Sequence, residues 1–314
     1  MTRRILAVVL ASAAAAACGG TTANDERSAK LDTPRPHPVT VVGPPGKLVA
    51  IGGGRSLFLH CVGSGSPAVV LEAGFGADTM EWRAVQPELG RTTRACAYDR
   101  AGFGNSVAPP GLRDARDEVR DLRQLLAGAR IAPPYVLVGH SYGGVVGRVF
   151  AHLHPGETAG LVLIDTMGRG GRRRQLAVWP KSQAPATRRE LASIMDGVDL
   201  AAGEAVADRL RTLDGVPLAV ITAARHDNFP RRPRRLRRAL TRLWTTMQDE
   251  LARLSTDSVH VVALRSNHQV PSSQSGQPAV VARAVQAVVR AARDRTPLPA
   301  CRVLFTGPGT RCRR

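Results

Sequence analysis

At 314 residues the chain can bury one sizeable core, which suits a single α/β domain with insertions better than two small ones. Beyond the N-terminus no apolar run is long enough to span a membrane. The formal charge of +19 is almost all arginine. No aromatics interleave with the clusters at 172–174 and 231–238, which argues against nucleic acid and for a solvated surface attracted to anionic lipid or cell wall.

In chain order, Arg3-Arg4, the apolar run from Ile5 to Ala17 and Cys18-Gly19-Gly20 have the layout of an export signal, residues 1–18. Ala15-Ala16-Ala17-Cys18 resembles a bacterial lipobox. It makes Cys18 the expected lipid-attachment site and the outer face of the cell membrane the expected location. The alternative is a plain signal peptide cut near Ala17 and a secreted protein. Residues 19–46 are polar, Pro-rich and aperiodic, as in a flexible tether, and the folded domain is expected over 47–314.

Residues 47–60 alternate as a hairpin about Gly52-Gly53-Gly54. A strand over 68–72 runs into Ala73-Gly74-Phe75-Gly76, and one over 94–98 runs into Asp99-Arg100-Ala101-Gly102-Phe103-Gly104. Val119, Leu122, Leu125 and Leu126 have helical spacing within 114–129. Strands follow at 136–138, 161–165, 217–222 and 259–264, with helices around 244–254 and 279–293. An Arg-rich stretch, 168–213, reads as a cap insertion, with Leu176, Val178, Trp179 and Met195 as candidates for an apolar lining. Strands alternating with helices predict a mostly parallel sheet covered on both faces.

With Cys18 set aside, Cys61, Cys96, Cys301 and Cys312 remain. An even count in an exported chain favours disulfides, and no Cys-x-x-Cys spacing supports a metal. Cys301 and Cys312 flank a Gly/Pro-rich loop that a disulfide could close, while Cys61 and Cys96 lie in strand-like runs expected to be neighbours.

The chemistry is concentrated in Val136-Leu137-Val138-Gly139-His140-Ser141-Tyr142-Gly143-Gly144. A strand ending in Gly-His-Ser-Tyr-Gly and followed by an apolar-periodic segment fits the G-x-S-x-G nucleophile elbow. Gly139 and Gly143 are required because side chains there would strike the adjoining strand and helix. A serine hydroxyl needs a base to take its proton and a carboxylate to orient that base. His268, in the loop after the strand at 259–264, is the expected base. His140 and His260 read as structural, and His152 and His154 lie on or just after the elbow helix.

These segments, with Leu71 to Gly76, Ala97 to Gly104, Gly160 to Asp165 and Asn267-His268, resemble the α/β-hydrolase fold superfamily, specifically an exported bacterial serine hydrolase of the esterase/lipase type. The resemblance implies the α/β-hydrolase fold and the order Ser, Asp or Glu, His. Two aspartates compete for the acid. Asp227 follows the strand at 217–222 in the common layout and is favoured; Asp165 ends the preceding strand and is the alternative. The resemblance also implies an oxyanion hole from the Tyr142 and Phe75 N–H groups, with Ala73 where the family has His, at the cost of a loop-supporting hydrogen bond. Residues 98–104 fit the family's structural loop and are assigned no chemistry. The expected activity is hydrolysis of a carboxylic ester or related acyl bond of a small-molecule substrate, with no cofactor and no metal. Amidase, aminopeptidase and acyltransferase chemistry are close alternatives, and a catalytically silent binding lipoprotein is the competing class.

Overall fold

A computed structural model describes residues 45–180, 194–195, 197–225 and 233–313. Residues 1–44, with Cys18, and Asp227 therefore lie outside the described residues, as do residues 181–193 and 196 of the expected cap insertion.

The strands are β1 (Lys47–Gly52), β2 (Arg55–Val62), β3 (Ala68–Glu72), β4 (Ala95–Tyr98), β5 (Tyr135–His140), β6 (Thr158–Ile164), β7 (Ile194–Met195), β8 (Val198–Asp199), β9 (Leu218–Ala223), β10 (Ser258–Ala263) and β11 (Thr310–Arg313). Nine of them form one sheet in the order β1-β2-β4-β3-β5-β6-β9-β10-β11. The central pairs from β4 to β10 are parallel, while β1, β2 and β11 close the edges antiparallel. The separate hairpin of β7 and β8 comes from the expected cap.

β3, β5 and β9 are buried along their whole length, which is why they read as unbroken apolar runs rather than alternations. Their side chains still point alternately to two cores. Leu137 joins helices α2 (Ala115–Gly128), α3 (Tyr142–Leu153) and α5 (Leu200–Ala207) on one face. Val136 and Val138 join α1 (Gln86–Gly90) and α7 (Pro278–Asp294) on the other. Helix α2 starts where Asp114 and Asp117 form a reciprocal capping box, which satisfies two N-terminal amides. Among the described residues no helix is long and apolar enough to cross a membrane.

The four cysteines pair as two disulfides. Cys61 faces Cys96 across the antiparallel β2–β4 pair, and Cys301–Cys312 ties the short helix α8 (Cys301–Leu304) to β11. Two features differ from expectation. Helix α6 covers Arg234–Ala252, beginning ten residues earlier than its apolar C-terminal half suggested. Arginine is a good helix former, and Leu236 and Leu240 extend the buried stripe of Met247 and Leu251. Within the expected cap, Val178, at the end of α4 (Gly171–Val178), and Trp179 pack against Leu236 and Leu240, and Met195 is exposed.

Candidate active site

The parallel strands end on one edge of the sheet, and Ser141, Asp165 and His268 stand on the segments that leave it. Ser141 sits at the β5–α3 junction with φ +52° and ψ −118°, outside the regions a non-glycine residue normally occupies. Such strain costs on the order of 1–3 kcal/mol and persists only where neighbours over-determine it. Here Ser141 N–H donates to Ile164 O at 2.9 Å, and its own carbonyl accepts from Thr166 Oγ1 at 2.5 Å. The flanking glycines are sterically compelled. A Cβ on Gly139 would lie 2.4 Å from Gly143 O, and one on Gly143 would lie 2.2 Å from Glu72 O.

His268 follows β10, and its Nε2 lies 3.0 Å from Ser141 Oγ. Its Nδ1 lies 2.7 Å from Asp165 Oδ2. A carboxylate accepts, so Nδ1 carries the proton and Nε2 presents its lone pair to the serine hydroxyl. The other carboxylate oxygen, Asp165 Oδ1, accepts from Trp244 Nε1 at 2.8 Å and from Ala223 N–H at 3.1 Å. Asp165 is 1% exposed, so these donors replace the water its charge would otherwise require.

Asp165, the alternative acid of the sequence reading, is the carboxylate that the described residues bring to His268. Asp165 ends β6, which is hydrogen-bonded directly to the serine strand β5 on one side and to β9 on the other. Trp244, supplied by α6, completes its shell. Asp227 lies outside the described residues.

The expected oxyanion loop, 73–76, leaves β3 beside β5. A Cβ on Gly74 would lie 3.2 Å from His140 Nδ1 and 3.6 Å from Ser141 Cβ, so the loop runs close against the elbow with little room for a side chain at this position. Phe75 stacks edge-on against Phe103 at 5.5 Å and Tyr142 at 5.8 Å, which places the two residues expected to supply N–H groups side by side.

Ala73 was expected to leave this loop short of one support. Arg100, within the run read as a structural loop, and Glu81, which the sequence reading did not single out, provide it. Arg100, 2% exposed, donates to Ala73 O and Gly74 O at 2.6 Å each, with Glu72 and Glu118 carboxylates at 3.6 and 3.7 Å. Burial opposes its charge, but Glu118 and Glu72 outweigh that and hold Arg100 above its ordinary value. Burial in turn pushes Glu72 up to about 7, against the pull of Arg100. Glu81, in the 3-10 helix Thr79–Trp82, accepts from Gly74 N–H at 2.7 Å. The run at 98–104 is thus a brace for the site. Arg100 grips the 73–76 loop, and Asp99 accepts from Thr79 N–H at 2.8 Å and Asn105 N–H at 2.8 Å. An Asp-Arg pair directly after an apolar strand was the available signal for it. For Glu81 and Trp244 no local signal exists. His260 is structural as expected, bonded to Thr222 Oγ1 at 2.7 Å.

The chain matches the alpha/beta hydrolase family over residues 57–301. It is 35% identical over 126 residues to 2-hydroxy-6-oxo-2,4-heptadienoate hydrolase of Pseudomonas putida, covering 39% of this chain and 45% of that one. It is 34% identical over 111 residues to epoxide hydrolase 3 of Xenopus tropicalis, covering 34% and 30%. It spans less than half the length of these curated relatives. Among solved structures, a thermophilic esterase from Thermogutta terrifontis superposes with a TM-score of 0.56 at 23% identity, over 79% of this chain and 99% of that one. A meta-cleavage product hydrolase from Pseudomonas fluorescens superposes with a TM-score of 0.54 at 18% identity, over 77% and 97%. At these identities the structural likeness is one of fold.

Proposed function

The chain belongs to the alpha/beta hydrolase family, and from that membership and the geometry of its site we propose that it is a serine hydrolase cleaving a carboxylic ester through an acyl-enzyme. The observation that carries the reading is the continuous relay from Asp165 Oδ2 through His268 to Ser141 Oγ, with links of 2.7 and 3.0 Å. Ser141 Oγ attacks the ester carbonyl carbon while His268 Nε2 takes its proton. Asp165 holds the imidazole in the required tautomer and stabilises the imidazolium that forms. Negative charge develops on the carbonyl oxygen, where the backbone N–H groups of Phe75 and Tyr142 receive it. His268 then passes its proton to the departing alkoxide, and water repeats the sequence in reverse to release the acid.

The residue types favour this chemistry over that named for some relatives. A serine at the elbow leads to an acyl-enzyme, whereas epoxide-opening members of the fold use an aspartate there. Three acceptor or donor groups held in line would also be an unusual expense of buried polarity for a silent binding protein.

The test is direct. A fluorophosphonate probe should label wild-type protein at Ser141 and leave Ser141→Ala unlabelled. In a panel of acyl esters of increasing chain length beside aminoacyl amides, the esters should be turned over faster. Ser141→Ala should lose on the order of 10³-fold or more in ester turnover with folding intact. Faster cleavage of the amides would move the reading to an amidase or aminopeptidase. Turnover by Ser141→Ala within tenfold of wild type would remove the serine mechanism.

A further inference from the structure

A second histidine stands beside both Ser141 and His268. His140 closes β5 one residue before Ser141 and is 1% exposed. Its Nε2 bonds the main-chain carbonyl of His268 at 2.8 Å, and its ring centre lies 4.8 Å from that of His268. Its Nδ1 makes a very short contact with Glu81 Oε1. Glu81 Oε2 in turn accepts from Gly74 N–H at 2.7 Å. Three hydrogen bonds therefore run in series from the oxyanion loop, through Glu81 and His140, to the backbone of the loop that carries the base.

The chemistry of the two ends fixes the middle. The His268 carbonyl only accepts, so His140 Nε2 carries a proton. The Gly74 N–H only donates, so Glu81 Oε2 accepts. The central contact, Nδ1 to Oε1, then needs one proton to be a hydrogen bond. With that proton the pair is neutral overall and joined. Without it, a lone pair on Nδ1 faces a carboxylate in a buried site.

We propose that Glu81 and His140 are positioning residues: a proton-linked clamp that fixes the oxyanion loop relative to the loop bearing His268, so that the donors and the base meet the same substrate carbonyl. The proposal rests on the serine-hydrolase reading above and adds to it a pair that touches neither substrate nor reacting atom. It also explains how the loop tolerates Ala73. The support comes from the elbow itself, through a histidine adjacent to the nucleophile.

The charged groups that face the pair are Arg100 from the loop after β4, Asp165 from the loop after β6 and His268 after β10. Burial opposes the charge on His140, but Glu81 and, further off, Asp165 hold its value above the ordinary one. Burial likewise opposes the charge on Glu81, but His140, the Gly74 N–H and Arg100 hold it below. The signs follow. The clamp is intact below the raised His140 value and is lost as pH rises through it. It is lost again at the acid end as pH falls through the lowered Glu81 value. Activity should therefore carry an alkaline limb from the clamp.

Glu81→Gln separates this from a purely structural role. The glutamine carbonyl can accept from Gly74 N–H, and its amide can donate to a neutral His140 Nδ1. All three bonds survive, but no proton remains to be lost on the alkaline side. The experiment measures kcat, KM and fluorophosphonate labelling rate across pH, with Tm, for wild type, Glu81→Gln, Glu81→Ala and His140→Ala. Glu81→Gln should keep kcat within about threefold at neutral pH and lose the alkaline limb. The two alanine variants should fall on the order of 10²-fold in kcat and labelling rate, with KM little changed, which is the scale of a misplacement of about 1 Å. A labelled wild type whose alanine variants change only in Tm overturns the clamp, as does a Glu81→Gln variant with the wild-type alkaline limb. A wild type that is not labelled at Ser141 at all overturns the serine reading, and the clamp with it.

Discussion

Asp165→Asn is the substitution whose outcome the geometry determines most closely. Asparagine keeps the shape but has one acceptor oxygen in place of two. In the wild type, Oδ1 receives two donors, Trp244 Nε1 and Ala223 N–H, while Oδ2 receives one, His268 Nδ1. The amide will therefore turn its oxygen toward the two donors and its NH₂ toward His268. That orientation makes His268 Nδ1 an acceptor and moves the ring proton to Nε2, where it faces Ser141 Oγ and cannot take the serine proton. Such a swap, as worked out for another serine hydrolase, costs on the order of 10⁴-fold in kcat. At 1.36 kcal/mol per decade this is about 5.4 kcal/mol of transition-state stabilisation. Folding should be preserved, because every hydrogen bond of the buried carboxylate retains a partner. The assay is kcat on the best ester of the panel, beside circular dichroism and Tm. Residual kcat within tenfold of wild type would refute the reasoning, and a steep fall in Asp227→Asn with Asp165→Asn active would return the acid to the position the sequence favoured.

Three further outcomes can be checked. Trp244→Phe removes one of the two donors to Oδ1 and leaves Ala223; the loss of a neutral donor to a charged acceptor, about 1.5–3 kcal/mol, should lower kcat by roughly 10- to 100-fold with little change in KM, and unchanged kcat would place Trp244 outside the mechanism. His260 is depressed to about 4 by burial, so below its unfolded value the unfolded chain binds a proton that the native chain refuses. Stability should fall as pH drops from about 6.5 towards 4, by on the order of 3 kcal/mol for this residue, and His260→Gln should flatten the pH dependence of denaturant unfolding by that amount relative to wild type; parallel curves for the two proteins would refute the assignment. Cys18→Ser should move the protein from the membrane fraction to the soluble exported fraction, since basic surface alone gives reversible, salt-sensitive attachment; retention of the mutant in high salt would rule out a lipid anchor at Cys18.

What could be read from the sequence was what is local in the chain. Gly139-His140-Ser141-Tyr142-Gly143 specifies its own backbone, because the turn is sharp enough that a Cβ at either glycine meets main chain at 2.4 Å or less. The fully buried strands announced themselves as apolar runs, and His268 as the polar residue just past one of them. That the four cysteines form disulfides was legible from their even count, and Cys61 and Cys96 lay in runs expected to be neighbours, but the connectivity itself was left open. The acid was not legible. Asp165 and Asp227 both follow parallel strands, and the sequence carries no record of which carboxylate the third dimension delivers to His268. That choice depends on β6 lying directly beside the serine strand and on Trp244 arriving from α6, 79 residues away in the chain, to donate to Asp165. The same holds for Glu81, an ordinary charged residue in its own stretch of chain that becomes a support for the 73–76 loop only once burial has removed water as its partner, because a buried charge must then find its hydrogen bonds wherever the fold has brought a donor or acceptor within reach.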